Sequence, residues 1–175
     1  MAYPVLIDNF LFPCYSTQSS RIPAGRAQPL ADVVDTNTRS RMMAGIRGKN
    51  TTPEIRLRKA LHRAGFRFRL HDAKLPGRPD IILPRYRAAI FVHGCFWHRH
   101  EGCRNASVPK SNAVFWEEKF RNNVERDHRN IRGLRAEGWR VAVVWECAIR
   151  RCGEGPIALE LGTWLRSNVG CFETV

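Results

Sequence analysis

The stretch from 80 to 145 most constrains the fold. Two short apolar runs, 80–83 and 87–92, flank Pro84-Arg85-Tyr86. That pattern predicts two antiparallel strands joined by a tight turn. Trp116, Phe120, Val124, Ile131 and Leu134 then recur at helical spacing and Gly138 follows, which predicts a long helix over Ala113–Glu137. Trp139 to Trp145 is apolar and β-branched, the pattern of a buried strand. A strand, a helix and a second strand make a βαβ unit, whose strands run parallel with a right-handed crossover.

Other segments add to this unit. Thr51 and Glu54 have the spacing of a capping box, and Ile55, Leu57, Ala60, Leu61 and Ala64 follow as an apolar stripe before Gly65. Phe66, Phe68 and Leu70 alternate with Arg67, Arg69 and His71, which reads as a half-wet strand. A short basic helix is expected over Thr38–Ile46 and a last helix over Pro156–Arg166. The order is helix, three strands, helix, strand, helix. It defines an α/β fold with a mixed β-sheet flanked by helices. Residues 1–35 hold Pro4, Pro13, Pro23 and Pro29 without sustained periodicity and read as a poorly ordered N-terminal extension. The domain is expected over 36–168, with a C-terminal tail at 169–175.

Lys and Arg number 29 against 16 Asp and Glu, a formal charge of +13. Such an excess favours a polyanion, because each neutralised phosphate releases counterions. No apolar run approaches the roughly 20 residues of a membrane span, and no secretory signal is evident, so a cytoplasmic location is expected. Six cysteines in a reducing compartment suggest metal binding or free thiols.

Two juxtapositions follow from the topology. With the turn centred near Arg85, Asp80 should face Phe91 or Val92, with His93 beside them. An acidic group at the start of an apolar strand is costly unless paired, solvated or metal-bound. It either caps the preceding Pro-Gly-Arg-Pro turn or holds Mg²⁺ through oxygen ligands. The parallel pair then brings Cys147 to the edge that carries the loop 95–103. Cys95, His98, His100, Cys103 and Cys147 are five candidates for the four places of a tetrahedral Zn²⁺ site. Cys14, Cys152 and Cys171 read as free thiols. Phe96 and Trp97 in the loop, and Trp116 on the long helix, either close the core over the metal or stand outward to stack on bases.

These residues also carry a family resemblance. Leu75-Pro76-Gly77-Arg78-Pro79-Asp80 and Ile90-Phe91-Val92-His93-Gly94-Cys95-Phe96-Trp97-His98 resemble blocks of the very-short-patch-repair endonucleases. So do Phe115-Trp116-Glu117-Glu118-Lys119, Asn123-Val124-Glu125-Arg126-Asp127, Glu137-Gly138-Trp139-Arg140-Val141 and Val144-Trp145-Glu146-Cys147. The resemblance runs from about 38 to 150. It implies a restriction-endonuclease-like core and a Mg²⁺-dependent nick 5′ to the mispaired T of a T:G mismatch left by 5-methylcytosine deamination. It implies Asp80 and the main-chain oxygen of Val92 as Mg²⁺ ligands and His98 as general base. His93, Glu54 and Asp127 support them. Cys95, His100, Cys103 and Cys147 match the zinc ligands, and Phe96, Trp97 and Trp116 match the aromatics that wedge into DNA. A bacterial, nucleoid-associated monomer acting on double-stranded DNA is implied, with mismatch-repair proteins as further partners. Two alternatives are a restriction-type nuclease on matched DNA and a zinc-stabilised DNA-binding module without catalysis.

Overall fold

The computed structural model describes residues 38, 41, 48–109 and 112–174. The N-terminal extension, and the basic helix expected over 38–46 apart from Thr38 and Arg41, lie outside the described residues. The elements are α1 (Thr52–Arg63), β1 (Ile81–Leu83), a 3-10 turn (Pro84–Tyr86), β2 (Ala88–His93), α2 (Cys95–His98), α3 (Ala113–Ala136), β3 (Arg140–Trp145), α4 (Glu146–Cys152), α5 (Glu154–Arg166) and β4 (Cys171–Glu173).

The sheet order is β1-β2-β3-β4. β1 and β2 are antiparallel with Ile81 opposite Ile90, and β2 and β3 are parallel with Val92 opposite Val144. The mixed α/β sheet expected from the sequence is therefore present, with α3 as the crossover. Side chains alternate across each strand. Ala88, Ile90, Ala142 and Val144 pack with Leu57 and Leu61 of α1, Ile149 of α4 and Leu161 of α5. Ala89, Phe91, Val141, Val143 and Trp145 pack on the other face with Ile131 and Leu134 of α3. Leu57 and Leu61 are fully buried. Each such leucine contributes about 1.5–3 kcal/mol of transfer free energy.

Three expectations require correction. The segment 66–70 is not a strand: it makes one antiparallel bridge, Arg69 to Ile82. Phe66 is buried, but Leu70 is exposed, and His71 turns the chain away at φ 50°. The alternation there reflects one buried ring and one half-buried ring on an extended loop. Second, the expected order has one helix after the last strand of the βαβ unit, whereas Glu146–Cys152 forms an additional helix, so β3 passes directly into α4. Third, the C-terminal segment read as a tail supplies β4, parallel to β3. It is fastened by the Trp145 N–H to Thr174 Oγ1 (2.9 Å) and Trp145 Nε1 to Glu173 Oε1 (2.7 Å).

Candidate active site

The carboxyl edge of β2 gathers most of the chemistry. Asp80 lies just before β1, and its Oδ2 accepts the Val92 N–H at 2.8 Å. The predicted meeting of Asp80 with the far end of β2 is therefore seen. N–H and C=O of one strand residue point to the same side, so the Val92 carbonyl lies along the edge that Asp80 occupies. Asp80 Oδ1 has His71 Nδ1 at 4.0 Å. Burial pushes the Asp80 carboxyl up to about 7, and the nearby Glu54 adds to this. The Val92 hydrogen bond and the Arg58 charge oppose it. A carboxylate under that strain is stabilised by a cation, and its oxygen donors suit a hard one.

The loop that delivers Asp80 is held against α3. Gly77 sits at φ 74°, and a Cβ there would lie 2.8 Å from Asn130. Pro76 packs on Gly133, where a Cβ would meet it at 3.2 Å. The Pro-Gly-Arg-Pro run thus needs its glycine both for backbone conformation and for close approach to the helix.

His93, one residue beyond Val92, points to the opposite face. It is buried and stacks on His98, centroids 3.9 Å apart and planes 7° from parallel. Burial, with the neighbouring His98, drives His93 down to about 3, so it is a neutral ring. His98 Nδ1 bonds Asp127 Oδ2 at 2.5 Å. Asp127 comes from α3 and is buried. Burial alone would raise its carboxyl, but the His98 hydrogen bond and the charges of His98, His93 and Arg126 bring it below the usual range. His93, His98 and Asp127 have ligand-type atoms within 4.8 Å of one another.

A second cluster lies beside the first. Cys95, His100, Cys103 and Cys147 also bring their ligand atoms within 4.8 Å. Cys147 Sγ is 3.2 Å and Cys95 Sγ 3.8 Å from His100 Nδ1. His98, the fifth candidate, turns to Asp127 instead. The spacing depends on turns after α2: Arg99 at φ 56° and Gly102 at φ 66°. His100 stacks on Trp145 at 4.2 Å. Burial pushes the Cys95 thiol up to about 12, and the Cys147 thiol is also raised by burial, while the Asn105 backbone hydrogen bond lowers Cys103. Three sulfurs and one imidazole crowded together are a donor set that a dication completes, because the metal binds thiolate. Cys152 is free and exposed. Cys171, expected as a free thiol, is disulfide-bonded, and Cys14 lies outside the described residues.

The aromatics form a patch next to this loop. Phe96 is half-buried and meets Trp97, Trp116 and Phe120 edge-on, with centroids 5.0, 5.5 and 5.1 Å away. Trp116 is buried between Phe96 and Phe120, while Phe115 and Val114 beside it are exposed. Lys119 lies 6.0 Å from the Trp97 ring and Arg99 4.5 Å from the Phe120 ring.

Sequence reasoning named Glu54 as a supporting residue but missed Arg58 and His71, which stand with it behind Asp80. Glu54 is buried, and its carboxylate accepts from the Asn50 N–H, the Thr51 N–H and hydroxyl, and Arg58 Nη2. Arg58 also reaches Asn50, His71 and the Asp80 carbonyl. The available signal was the i, i+4 spacing of Glu54 and Arg58 on a helix whose other face is apolar.

A mixed sheet with an acidic group and a histidine–carboxylate pair at one strand end, beside a Cys/His cluster, is consistent with the restriction-endonuclease-like class of nucleases. The family model for DNA mismatch endonuclease Vsr matches residues 31–104. The DNA mismatch endonuclease Vsr of Escherichia coli K12 is 50% identical over 121 residues, 69% of this chain and 77% of the relative. The type II nicking enzyme V.XorIIP of Xanthomonas oryzae pv. oryzae is 48% identical over 124 residues, 71% of this chain and 90% of the relative. The type II nicking enzyme V.NmeAIP of Neisseria meningitidis is 44% identical over 121 residues, 69% of this chain and 86% of the relative. The chain belongs to the Vsr family of DNA mismatch endonucleases. Among the described residues no helix is long and apolar enough to cross a membrane.

Proposed function

We propose that this enzyme nicks one strand of duplex DNA 5′ to the mispaired T of a T:G mismatch and so starts very short patch repair. In this reading Mg²⁺ is the catalytic cofactor and Zn²⁺ the structural one. One observation carries it: Asp80, bonded to the Val92 N–H, and His98, bonded to Asp127, stand at the same end of β2. The likeness to the Escherichia coli mismatch endonuclease supports the substrate.

Asp80 and the Val92 carbonyl would hold Mg²⁺. When bound there, the cation supplies Lewis-acid stabilisation of charge on the scissile phosphate. The remaining work falls to the chain. His98 gives its Nδ1–H to Asp127 and keeps Nε2 free to take the proton of the attacking water. Asp127 fixes the tautomer and steadies the cation that forms on the ring, and His93, flat against His98, holds its plane. Glu54 anchors the start of α1 beside Asp80. Cys95, His100, Cys103 and Cys147 would hold Zn²⁺ and pin the loop that carries both His98 and the aromatics. Phe96 and Trp97, half-buried, act as the wedge, with Trp116 packed behind them. Unstacking a mispaired step costs less than unstacking a matched one, which contributes selectivity.

The test uses end-labelled duplexes with one T:G mismatch in a methylase-type context, assayed with and without Mg²⁺ and beside a matched duplex. A single Mg²⁺-dependent nick 5′ to the mispaired T, absent from the matched duplex, is expected. Equal cleavage of both duplexes would overturn the mismatch reading, and cleavage without divalent cation would overturn the cofactor.

A further inference from the structure

Arg58 is a buried cation to which the reaction above gives no task. Its side chain is 10% exposed and lies one helical turn after Glu54. Nη1 donates to Asn50 Oδ1 at 2.7 Å, and Nη2 donates to Glu54 Oε2 at 2.6 Å. Nη2 also lies 3.1 Å from His71 Nε2 and 3.4 Å from the Asp80 carbonyl oxygen. A guanidinium has only donors. His71 Nε2 therefore meets it with a lone pair, and the imidazole proton sits on Nδ1. Asn50 Oδ1, 3.5 Å from Nε2, asks for the opposite tautomer. That oxygen is already engaged by Nη1, so the 3.1 Å contact decides. Nδ1 is the atom that faces Asp80 Oδ1, 4.0 Å away. The gap is too long for a direct hydrogen bond and fits a bridging water or a small closure of the carboxylate.

We propose that Arg58 and His71 are positioning residues of the cleavage site. Arg58 holds His71 as the Nδ1–H tautomer, and that N–H, with the Val92 N–H on the other oxygen, sets the orientation of the Asp80 carboxylate. This rests on the reading of Asp80 as the metal-holding carboxylate. The arrangement has a chemical advantage. A neutral N–H orients Oδ1 without a full positive charge competing with the cation. With the other tautomer a lone pair would face Oδ1 and repel it. The Arg58 guanidinium meanwhile pairs with Glu54 and touches the Asp80 backbone carbonyl, not its carboxylate.

The experiment combines three readouts on the full chain with zinc retained. They are ¹⁵N NMR of the histidine side chains, calorimetric titration with Mg²⁺ without DNA, and nicking kinetics. Wild type is compared with Arg58→Met, His71→Ala, the double variant and Asp80→Asn. In wild type His71 should be protonated at Nδ1, and in Arg58→Met the Nε2–H form should appear. Mg²⁺ affinity or kcat should fall roughly 10–100-fold in Arg58→Met and His71→Ala, as for other residues that orient metal ligands. KM for the duplex should not change. The double variant should lose no more than His71→Ala alone, because Arg58 acts through His71. A wild-type His71 protonated at Nε2, or fully additive losses, would overturn the proposal. If Arg58→Met does not fold, His71→Ala decides, and unchanged Mg²⁺ affinity and kcat sink the idea. Asp80→Asn separates the two levels: if it nicks like wild type, the catalytic reading itself fails. If it is inactive while the Arg58 and His71 variants match wild type, only the positioning role fails.

Discussion

Asp80 is held at odds with its own charge, and that has a measurable sign. In the Mg²⁺-free protein its carboxyl titrates near 7, against 3.8 for an unperturbed group. A carboxyl raised on folding contributes its stability fully below the unfolded value and loses it as pH rises through the folded one. Above pH 7 the ionised group costs at most about 4 kcal/mol. Asp80→Asn, without Mg²⁺ but with zinc retained, should therefore melt several degrees above wild type at pH 8 and close to it at pH 4. Mg²⁺ should raise the wild-type Tm and leave the variant unmoved. An Asn variant less stable than wild type at both pH values would mean that the site is not strained. His98→Ala should reduce kcat roughly 10²–10⁴-fold with duplex affinity kept, and stopped-time nicking assays beside gel-shift titrations would measure both. The contact between Asp80 and Val92 was legible because a two-strand turn fixes its own register. The Arg58–His71 arrangement was not, since it joins a helix to a loop that no periodicity places beside it.

At the scale of elements, the parallel β2–β3 pair and α3 were readable because a long 3.6-residue stripe between two apolar runs has few other solutions. The Cys/His cluster followed from that topology, as Cys147 had to reach the loop at 95–103. Replacing Cys147 by Ser should release about one zinc per chain and loosen the turn that holds His98 and Trp97. Metal analysis and tryptophan fluorescence would check this, and unchanged metal content would remove Cys147 from the ligand set. β4 escaped notice because Cys171-Phe172-Glu173 is too short to show a period and its hold on the sheet is long-range. Removing residues 172–175 would keep Cys171 and its disulfide, strip most of the β3 edge of its partner and orphan the Trp145 N–H and indole N–H now bonded to Thr174 and Glu173. Each orphaned buried donor costs about 1–3 kcal/mol. Chemical denaturation should therefore show a loss of a few kcal/mol, and an unchanged midpoint would mean that β4 is dispensable.

On the scale of the whole molecule, the count of 29 Lys and Arg overstates the cations that DNA can use. Arg56 and Arg63 face Glu154, Arg150 faces Glu146, and Arg58 is spent on Glu54. Arg140 donates to the carbonyls of Trp164, Leu165 and Val169 and ties β3 to the end of α5. The cations left over set a salt dependence, since log K falls by about 0.9 per phosphate neutralised for each unit of log salt. Backbone contacts carry register and not base identity. Matched and T:G duplexes should therefore share one slope in a salt titration of binding, measured with Asp80→Asn so that no strand is cut. They should differ in intercept, because the mismatch changes the cost of unstacking rather than the number of phosphates touched. A steeper slope on the mismatched duplex would mean that recognition recruits further basic residues, and selectivity would then reside in an induced electrostatic footprint instead of the proposed aromatic wedge.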